Sequence, residues 1–237
     1  MMKIKKCPVT IIEGLIGSGK STLANELGDA LGPTTLVLKE PDEKGAANPY
    51  LADYYKDSKR WSLTMQLHLL GKRFSMHQDA QWHALNGRGP AVLDRSYYGD
   101  TSFARVQRSM GLMSEREFET YQVLYHEMTA FVLYPTFCVR ILVDPEVCNQ
   151  RIQNRMEKEQ GRKCEQAIDL DYLRNLDREI GHVVSVLRSQ GVIIIDMPWD
   201  TDRETKEQRE RSVQSLASRI MSVDPPDMFL DLHRRTL

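Results

Sequence analysis

The segment Gly14-Leu15-Ile16-Gly17-Ser18-Gly19-Lys20-Ser21-Thr22 carries the pattern Gly-x-x-x-x-Gly-Lys-Ser and follows the β-branched run Pro8-Val9-Thr10-Ile11-Ile12. A strand that feeds such a turn into a helix leaves few folds open. The glycines let successive backbone N–H groups converge on one point, and the positive end of the following helix adds to that field. Phosphate groups suit such a cradle. Lys20 reaches toward β- and γ-phosphates, while Ser21 offers its hydroxyl to Mg²⁺, which bridges phosphate oxygens. A glycine-rich turn without a ligand has no use for the Lys-Ser pair. Residues Gly14, Ile16, Gly17, Ser18, Gly19, Lys20, Ser21 and Thr22 are therefore the expected binding loop for a nucleoside triphosphate.

Short β-rich runs at Val9 to Ile12, Thr35 to Leu38, Ala91 to Leu93, Cys138 to Val143 and Val192 to Ile195 alternate with longer amphipathic segments. That alternation predicts an α/β fold, a five-stranded and mainly parallel sheet with helices on both faces. The first helix is expected from Lys20 to Leu31, stopped by Gly32-Pro33. Later helices carry start signals at Ser114-x-x-Glu117, at Thr201-x-x-Glu204 and around Asp169 to Asp171. Leu173, Leu176, Ile180, Val183, Val184 and Leu187 follow helical spacing and read as core. One domain is expected over residues 1–223, with 224–237 as an irregular tail that begins near Pro225-Pro226.

The 237 residues are 41% hydrophobic and show no composition break, enough for one substantial core. A net charge of −1 gives no field for a nucleic-acid polymer, so anionic ligands must be met by local clusters of cations. Cys7, Cys138, Cys148 and Cys164 are scattered, which indicates reduced thiols and neither zinc nor a disulfide framework. No apolar stretch approaches the ~18 residues of a membrane span, and the Met-Met-Lys-Ile-Lys-Lys start lacks the apolar region of a signal peptide. The expected location is cytoplasmic.

Further polar residues cluster at the expected carboxyl edge of the sheet, where ligands of open α/β folds bind. Glu40, after the second strand, is a candidate general base for an attacking hydroxyl or the partner of a nearby arginine. Asp94, after the third strand, stands where an acid would touch Mg²⁺, with Arg95 beside it as a fixed cation; the alternative is a helix-capping Asp next to a surface Arg. Arg151, Arg155, Lys158, Arg162 and Lys163, mixed with Glu157, Glu159 and Glu165, read as a phosphate-closing lid at about residues 151–169 or as a solvated helix face. On the helix around Trp61 to Phe74, Leu63, Leu67, Leu70 and Phe74 form a core stripe. Gln66 and Arg73 lie two turns apart beside it, either reading a nucleobase edge or facing water.

Together these segments resemble the deoxyribonucleoside kinases, a P-loop kinase family, from about residue 8 to residue 200. The resemblance rests on Gly14 to Thr22, Lys39-Glu40-Pro41, Asn48 to Leu51, Tyr55 to Trp61, Gln66, Arg73, Asp94-Arg95-Ser96 with Asp100, and Gly161-Arg162-Lys163-Cys164-Glu165. It implies transfer of the γ-phosphate of ATP-Mg²⁺ to a nucleoside 5′-hydroxyl, with Glu40 as base and Lys20 and Arg95 as electrostatic clamps. It further implies Arg151, Arg155 and Arg162 as the lid, Tyr55 and Glu165 on the sugar 3′-hydroxyl, and Gln66, Arg73 and Asp100 on the base. Leu69 and Met65 line the same helix face and set the width of that pocket. Metal contact would fall to Ser21 and Asp94, and a homodimer is expected from the family. The implied substrate order is deoxyadenosine, deoxyguanosine, deoxycytidine; retaining both Arg73 and Asp100 argues against thymidine. Asp196 to Asp200 is expected near the adenine of the donor.

Two departures from the family pattern stand out. Asp94 occupies a position where many members have Glu, and five residues, Met156 to Gln160, separate Arg155 from Gly161 where the animal enzymes have essentially none. A thymidylate kinase shares the loop and the Asp-Arg pair but expects a Gly-Gly-Thr-type continuation after Glu-Pro, where this chain has Asp42-Glu43-Lys44. A nucleotide switch would need an Asn-Lys-x-Asp segment, which is absent. A catalytically silent nucleotide-binding subunit is the remaining alternative, and the intact Glu40, Lys20 and Arg95 speak against it.

Overall fold

The computed structural model describes residues 7–39, 48–158, 168–200 and 204–224. Its centre is β1 (Val9–Glu13), all five residues of which are buried. Around it stand β2 (Leu36–Leu38), β3 (Ala91–Asp94), β4 (Phe137–Leu142) and β5 (Ile193–Pro198), in the order β2-β3-β1-β4-β5. Every neighbouring pair is parallel. Parallel strands need crossover helices that cover both faces, so the strands carry apolar side chains on both sides. Val9, Ile11, Ala91, Leu93 and Cys138 turn to one core. Ile12, Val92, Phe137, Val139 and Ile195 turn to the other.

The second core is closed by α1 (Lys20–Leu31) and α8 (Lys206–Met221), through residues such as Leu23, Leu27, Leu216 and Ile220. The first core is closed by α3 (Ser58–Leu85), α4 (Tyr97–Ser109), α5 (Glu115–Thr129) and α7 (Leu170–Ser189). The short α2 (Leu51–Lys56) precedes α3, and α6 (Pro145–Lys158) follows β4. The apolar series from Leu173 to Leu187 on α7 is buried core, as its spacing predicts.

Helix ends follow the side chains that satisfy their amides. The expected span of α1 is met, with Gly32 at φ 109° ending it. Ser114 and Glu117 form a reciprocal cap on α5, and Asp169 accepts from Tyr172 N at 2.7 Å to start α7. The expected start at Thr201-x-x-Glu204 is corrected. The cap of α8 is Thr205, whose hydroxyl accepts from Gln208 N at 3.3 Å while Gln208 Oε1 accepts from Thr205 N at 2.8 Å. Glutamine serves the reciprocal bond as well as glutamate, and Thr201 lies outside the described residues. Cys138 and Cys148 are buried free thiols, and Cys164 lies outside the described residues. No helix among the described residues is long and apolar enough to cross a membrane.

One buried histidine belongs to the first core rather than to the site. His77 on α3 is fully buried, with its ring edge-on to Tyr97 and Tyr98 at centroid distances of 4.9 and 5.8 Å. Its Nε2 lies 3.1 Å from the Leu133 carbonyl and 3.0 Å from the Gln81 amide nitrogen. Burial lowers its pKa to about 4, against a small opposing effect of the Leu133 carbonyl.

Candidate active site

Two polar groups lie in this frame, one at the carboxyl edge of β1 and β3 and one between α3 and α4. At the first, the parallel register sets Ile12 beside Asp94, so the turn after β1 and the turn after β3 leave the sheet side by side. The loop from Gly14 to Gly19 then enters α1 directly, with Gly19 as the cap residue at φ 95°. Only glycine takes that backbone without strain, and an added Cβ would stand 2.8 Å from the indole Nε1 of buried Trp199. Lys20 is buried at the first helical position, and its ammonium donates to the Leu15 carbonyl at 2.7 Å. Ser21 donates to Asp94 Oδ2 at 2.5 Å, which joins the helix start to the end of β3.

Asp94 is itself buried, and its Oδ1 has no hydrogen-bond partner among the described residues. A carboxylate and a hydroxyl with spare acceptor capacity form the oxygen donor set that a hard cation such as Mg²⁺ takes together with substrate phosphates. Arg95 follows with its backbone in the left-handed region, φ 70°, and is the only non-glycine residue so placed among those described. Its guanidinium lies 4.7 Å from the centre of the Phe103 ring, and the residue is 2% exposed. The capping-Asp, surface-Arg alternative is therefore overturned: α4 is capped by Ser96, and Arg95 is interior.

On the far side of the loop, Arg151 of α6 points back at the Gly17 and Ser18 backbone. Its guanidinium is 3.5 Å from the Gly17 carbonyl, 3.4 Å from that of Ser18 and 3.5 Å from that of Trp199, with Asp200 Oδ1 at 4.0 Å. Arg155 lies one turn further along the same helix. Arg162 and Glu165 fall outside the described residues, as does Glu40. β2 ends at Leu38, paired with Leu93, so the chain that leads to Glu40 departs from the same sheet edge as Asp94.

The second polar group is interior. Gln66 and Arg73 of α3 are 1% and 3% exposed, so the alternative in which they face water is overturned. Arg73 forms a buried ion pair and hydrogen bond with Asp100 of α4. The side-chain carbonyl of Gln66 has no partner among the described residues. A buried amide oxygen without a donor costs free energy, so it is a ready acceptor for a ligand's N–H. Met65 is buried beside it, and Tyr55 of α2 is half-buried with its ring near Tyr54.

One member of the first group is not among the sequence candidates. Glu13, the last residue of β1, is wholly buried, and its Oε1 accepts from both Ser96 N at 3.0 Å and Ser96 Oγ at 2.5 Å. Burial pushes its carboxyl above the usual range, while the Arg95 charge, the Ser96 bonds and the Lys20 charge pull it back. The available signal was a charged residue ending an otherwise uncharged central strand, directly before the first glycine of the loop.

Residues 10–221 match the family model for deoxynucleoside kinases. A deoxyguanosine kinase of Dictyostelium discoideum is 36% identical over 192 residues, which cover 81% of this chain and 64% of that one. The chain thus spans less than two thirds of that relative's length. A deoxyadenosine/deoxycytidine kinase of Bacillus subtilis is 31% identical over 221 residues, covering 93% of this chain and 94% of the other. Among solved structures, the deoxyadenosine kinase of M. mycoides with bound dCTP superposes with a TM-score of 0.70 at 21% identity, over 91% of this chain and 100% of that one.

Proposed function

This chain belongs to the deoxynucleoside kinase family, and from that membership and the geometry of its two polar groups we propose that it transfers the γ-phosphate of ATP to the 5′-hydroxyl of a deoxyribonucleoside. The observation that carries the reading is the pairing of a phosphate cradle with a separate buried recognition group: Lys20, Ser21, Asp94 and Arg95 at the sheet edge, and Gln66, Arg73 and Asp100 between α3 and α4.

In this reading the loop amides and Lys20 hold the triphosphate, and Ser21 and Asp94 hold Mg²⁺. The metal, when bound, neutralises charge on the β- and γ-phosphate oxygens. Glu40 accepts the proton of the 5′-hydroxyl as that oxygen attacks the γ-phosphorus and the bond to the β,γ-bridging oxygen breaks, releasing ADP. Arg95, with the lid arginines Arg151, Arg155 and Arg162, stabilises the charge that develops on the transferred group. Tyr55 and Glu165 fix the sugar through its 3′-hydroxyl, which puts the 5′-oxygen in line.

Base choice rests on the interior polar group. The Gln66 carbonyl suits an exocyclic amine, and the buried Arg73–Asp100 pair adds a guanidinium and a carboxylate to the same group. Thymine lacks the amine, and a site built for one hydrogen-bonding edge rejects a mismatched analogue by as much as about 10⁴-fold. The proposed order is deoxyadenosine, deoxyguanosine, deoxycytidine. A homodimer is part of the proposal through the family alone, and light scattering tests it.

The direct test is steady-state phosphorylation with ATP-Mg²⁺ against deoxyadenosine, deoxyguanosine, deoxycytidine, thymidine and thymidine monophosphate at matched concentrations. Turnover of deoxyadenosine ahead of the others is expected. Turnover of thymidine monophosphate alone would replace the reading with a thymidylate kinase, and ATP binding without any turnover would replace it with a silent nucleotide-binding subunit.

A further inference from the structure

Glu13 is an expensive residue to keep. A carboxylate at the end of a fully buried central strand loses its hydration, and an uncharged side chain of similar size would avoid that cost. Its surroundings indicate what it does there. Oε1 accepts both the backbone N–H and the hydroxyl of Ser96, at 3.0 and 2.5 Å. Oε2 lies against the backbone of Gly99, so close that a Cβ on Gly99 would overlap it, and it has no hydrogen-bond partner among the described residues.

Ser96 is the cap residue of α4, yet its hydroxyl makes no capping bond to that helix; the side chain is turned to Glu13, to which it donates. The Glu13 carboxylate therefore supplies the negative charge that the first turn of α4 favours, from a different strand. Between Asp94 and Ser96 stands Arg95 at φ 70°, a conformation that a bulky residue holds only when its surroundings over-determine it. Two anchors do so: Arg95 N donates to the Ile12 carbonyl at 3.1 Å, and the next residue is tied to Glu13. Ile12 and Glu13 are consecutive residues of β1, so the turn is stitched to the strand that also launches the phosphate loop.

We propose that Glu13 is a positioning residue for phosphoryl transfer, locking the Asp94-Arg95-Ser96 turn in its left-handed form so that the Arg95 guanidinium and the Asp94 carboxylate are held ready beside the loop. The inference rests on the reading in which Arg95 and Asp94 serve the transfer. Glu13 itself touches no substrate. With its Oε1 occupied by Ser96, it acts through the backbone of the turn.

The test uses the full chain with ATP-Mg²⁺ and its best nucleoside, comparing Glu13→Ala, Glu13→Gln, Ser96→Ala, Arg95→Ala and the double variant Glu13→Ala/Arg95→Ala in kcat, KM and melting temperature. Misplacing a catalytic group by about an ångström costs on the order of 10²-fold, which is the expected fall in kcat for Glu13→Ala, with KM for the nucleoside within about threefold. Glu13→Gln keeps the Oε1 acceptor and should recover kcat to within about tenfold of wild type, with Ser96→Ala between the two. In the Arg95→Ala background the Glu13→Ala change should add less than about threefold, because the group it positions is gone. Independent, multiplying losses in the double variant would overturn the proposal, as would wild-type kcat in both Glu13→Gln and Ser96→Ala should Glu13→Ala fail to fold. Wild-type kcat in Arg95→Ala alone would instead remove the underlying reading of the site.

Discussion

Acid should weaken this fold through one histidine, by an amount that can be worked out. His77 has its pKa lowered to about 4 by burial, against 6.5 for a free imidazole. The unfolded chain therefore takes up a proton as pH drops through about 6.5, whereas the folded chain declines it until about 4, so stability is complete above that window and is lost as pH falls through it. With those two values the loss is about 2 kcal/mol at about pH 5 and approaches about 3 kcal/mol below the folded pKa. The ring's Nδ1 has no partner among the described residues, so a charged ring would bury an unsatisfied N–H amid Tyr97 and Tyr98. The perturbation is His77→Phe, which keeps an aromatic ring between those tyrosines and cannot titrate. Its loss of the contact with the Leu133 carbonyl is a constant offset at all pH values. Urea unfolding of both proteins at about pH 7.5 and about pH 5 gives the result as a difference of differences, in which the carboxylates common to both cancel. The wild type should lose about 2 kcal/mol more than His77→Phe between those conditions. Equal losses, within about 0.5 kcal/mol, would refute the assignment of a buried neutral ring.

Two further predictions concern the site and one helix end. If Asp94 holds Mg²⁺ as proposed, Asp94→Asn should raise the Mg²⁺ concentration needed for half-maximal turnover and cut kcat by roughly 10²-fold or more, measured by metal titration at saturating nucleotide, because the hydroxyl of Ser21 would lose its anionic acceptor and the metal a charged ligand. An unchanged metal requirement would take Asp94 out of that role. Thr205→Ala should destabilise the fold by about 1 kcal/mol in chemical denaturation, since it removes the acceptor for Gln208 N at the start of α8; no measurable change would mean that this cap contributes nothing.

The architecture was largely legible because it is written in local patterns. Five apolar runs became five strands, four of them within one residue of their expected ends and the fifth running three residues further, to Pro198, and Lys20 to Leu31 became α1. The start of α8 was misread because two reciprocal caps compete within a few residues, and sequence spacing alone cannot say which threonine the chain turns at. Spacing likewise put Gln66 and Arg73 on one helix face but left open whether that face met water. Asp100, brought in by α4, decides it by burying Arg73 in an ion pair. Glu13 escaped notice for a related reason. Its role depends on Ser96, a residue distant in sequence that only the parallel pairing of β1 with β3 brings near. Glu40, Arg162 and Glu165 lie outside the described residues, so their proposed roles rest on the family resemblance alone.

The central place of β1 also bears on how this chain reaches its native state. The strand is the first of the five along the chain, yet it pairs with nothing nearby: Val9 waits for Ala91 on one side, and Thr10 for Phe137 on the other. Parallel pairing over such separations must overcome a large loop-closure entropy before any contact repays it, which slows folding. An N-terminal fragment that stops short of β3 therefore holds an apolar strand with both edges open, the kind of segment that recruits other chains. The loop from Gly14 to Gly19 thus hangs from a strand that is secured on both sides only once β4 has been made. Aggregation during synthesis, more than loss of the finished fold, is the hazard that this topology carries.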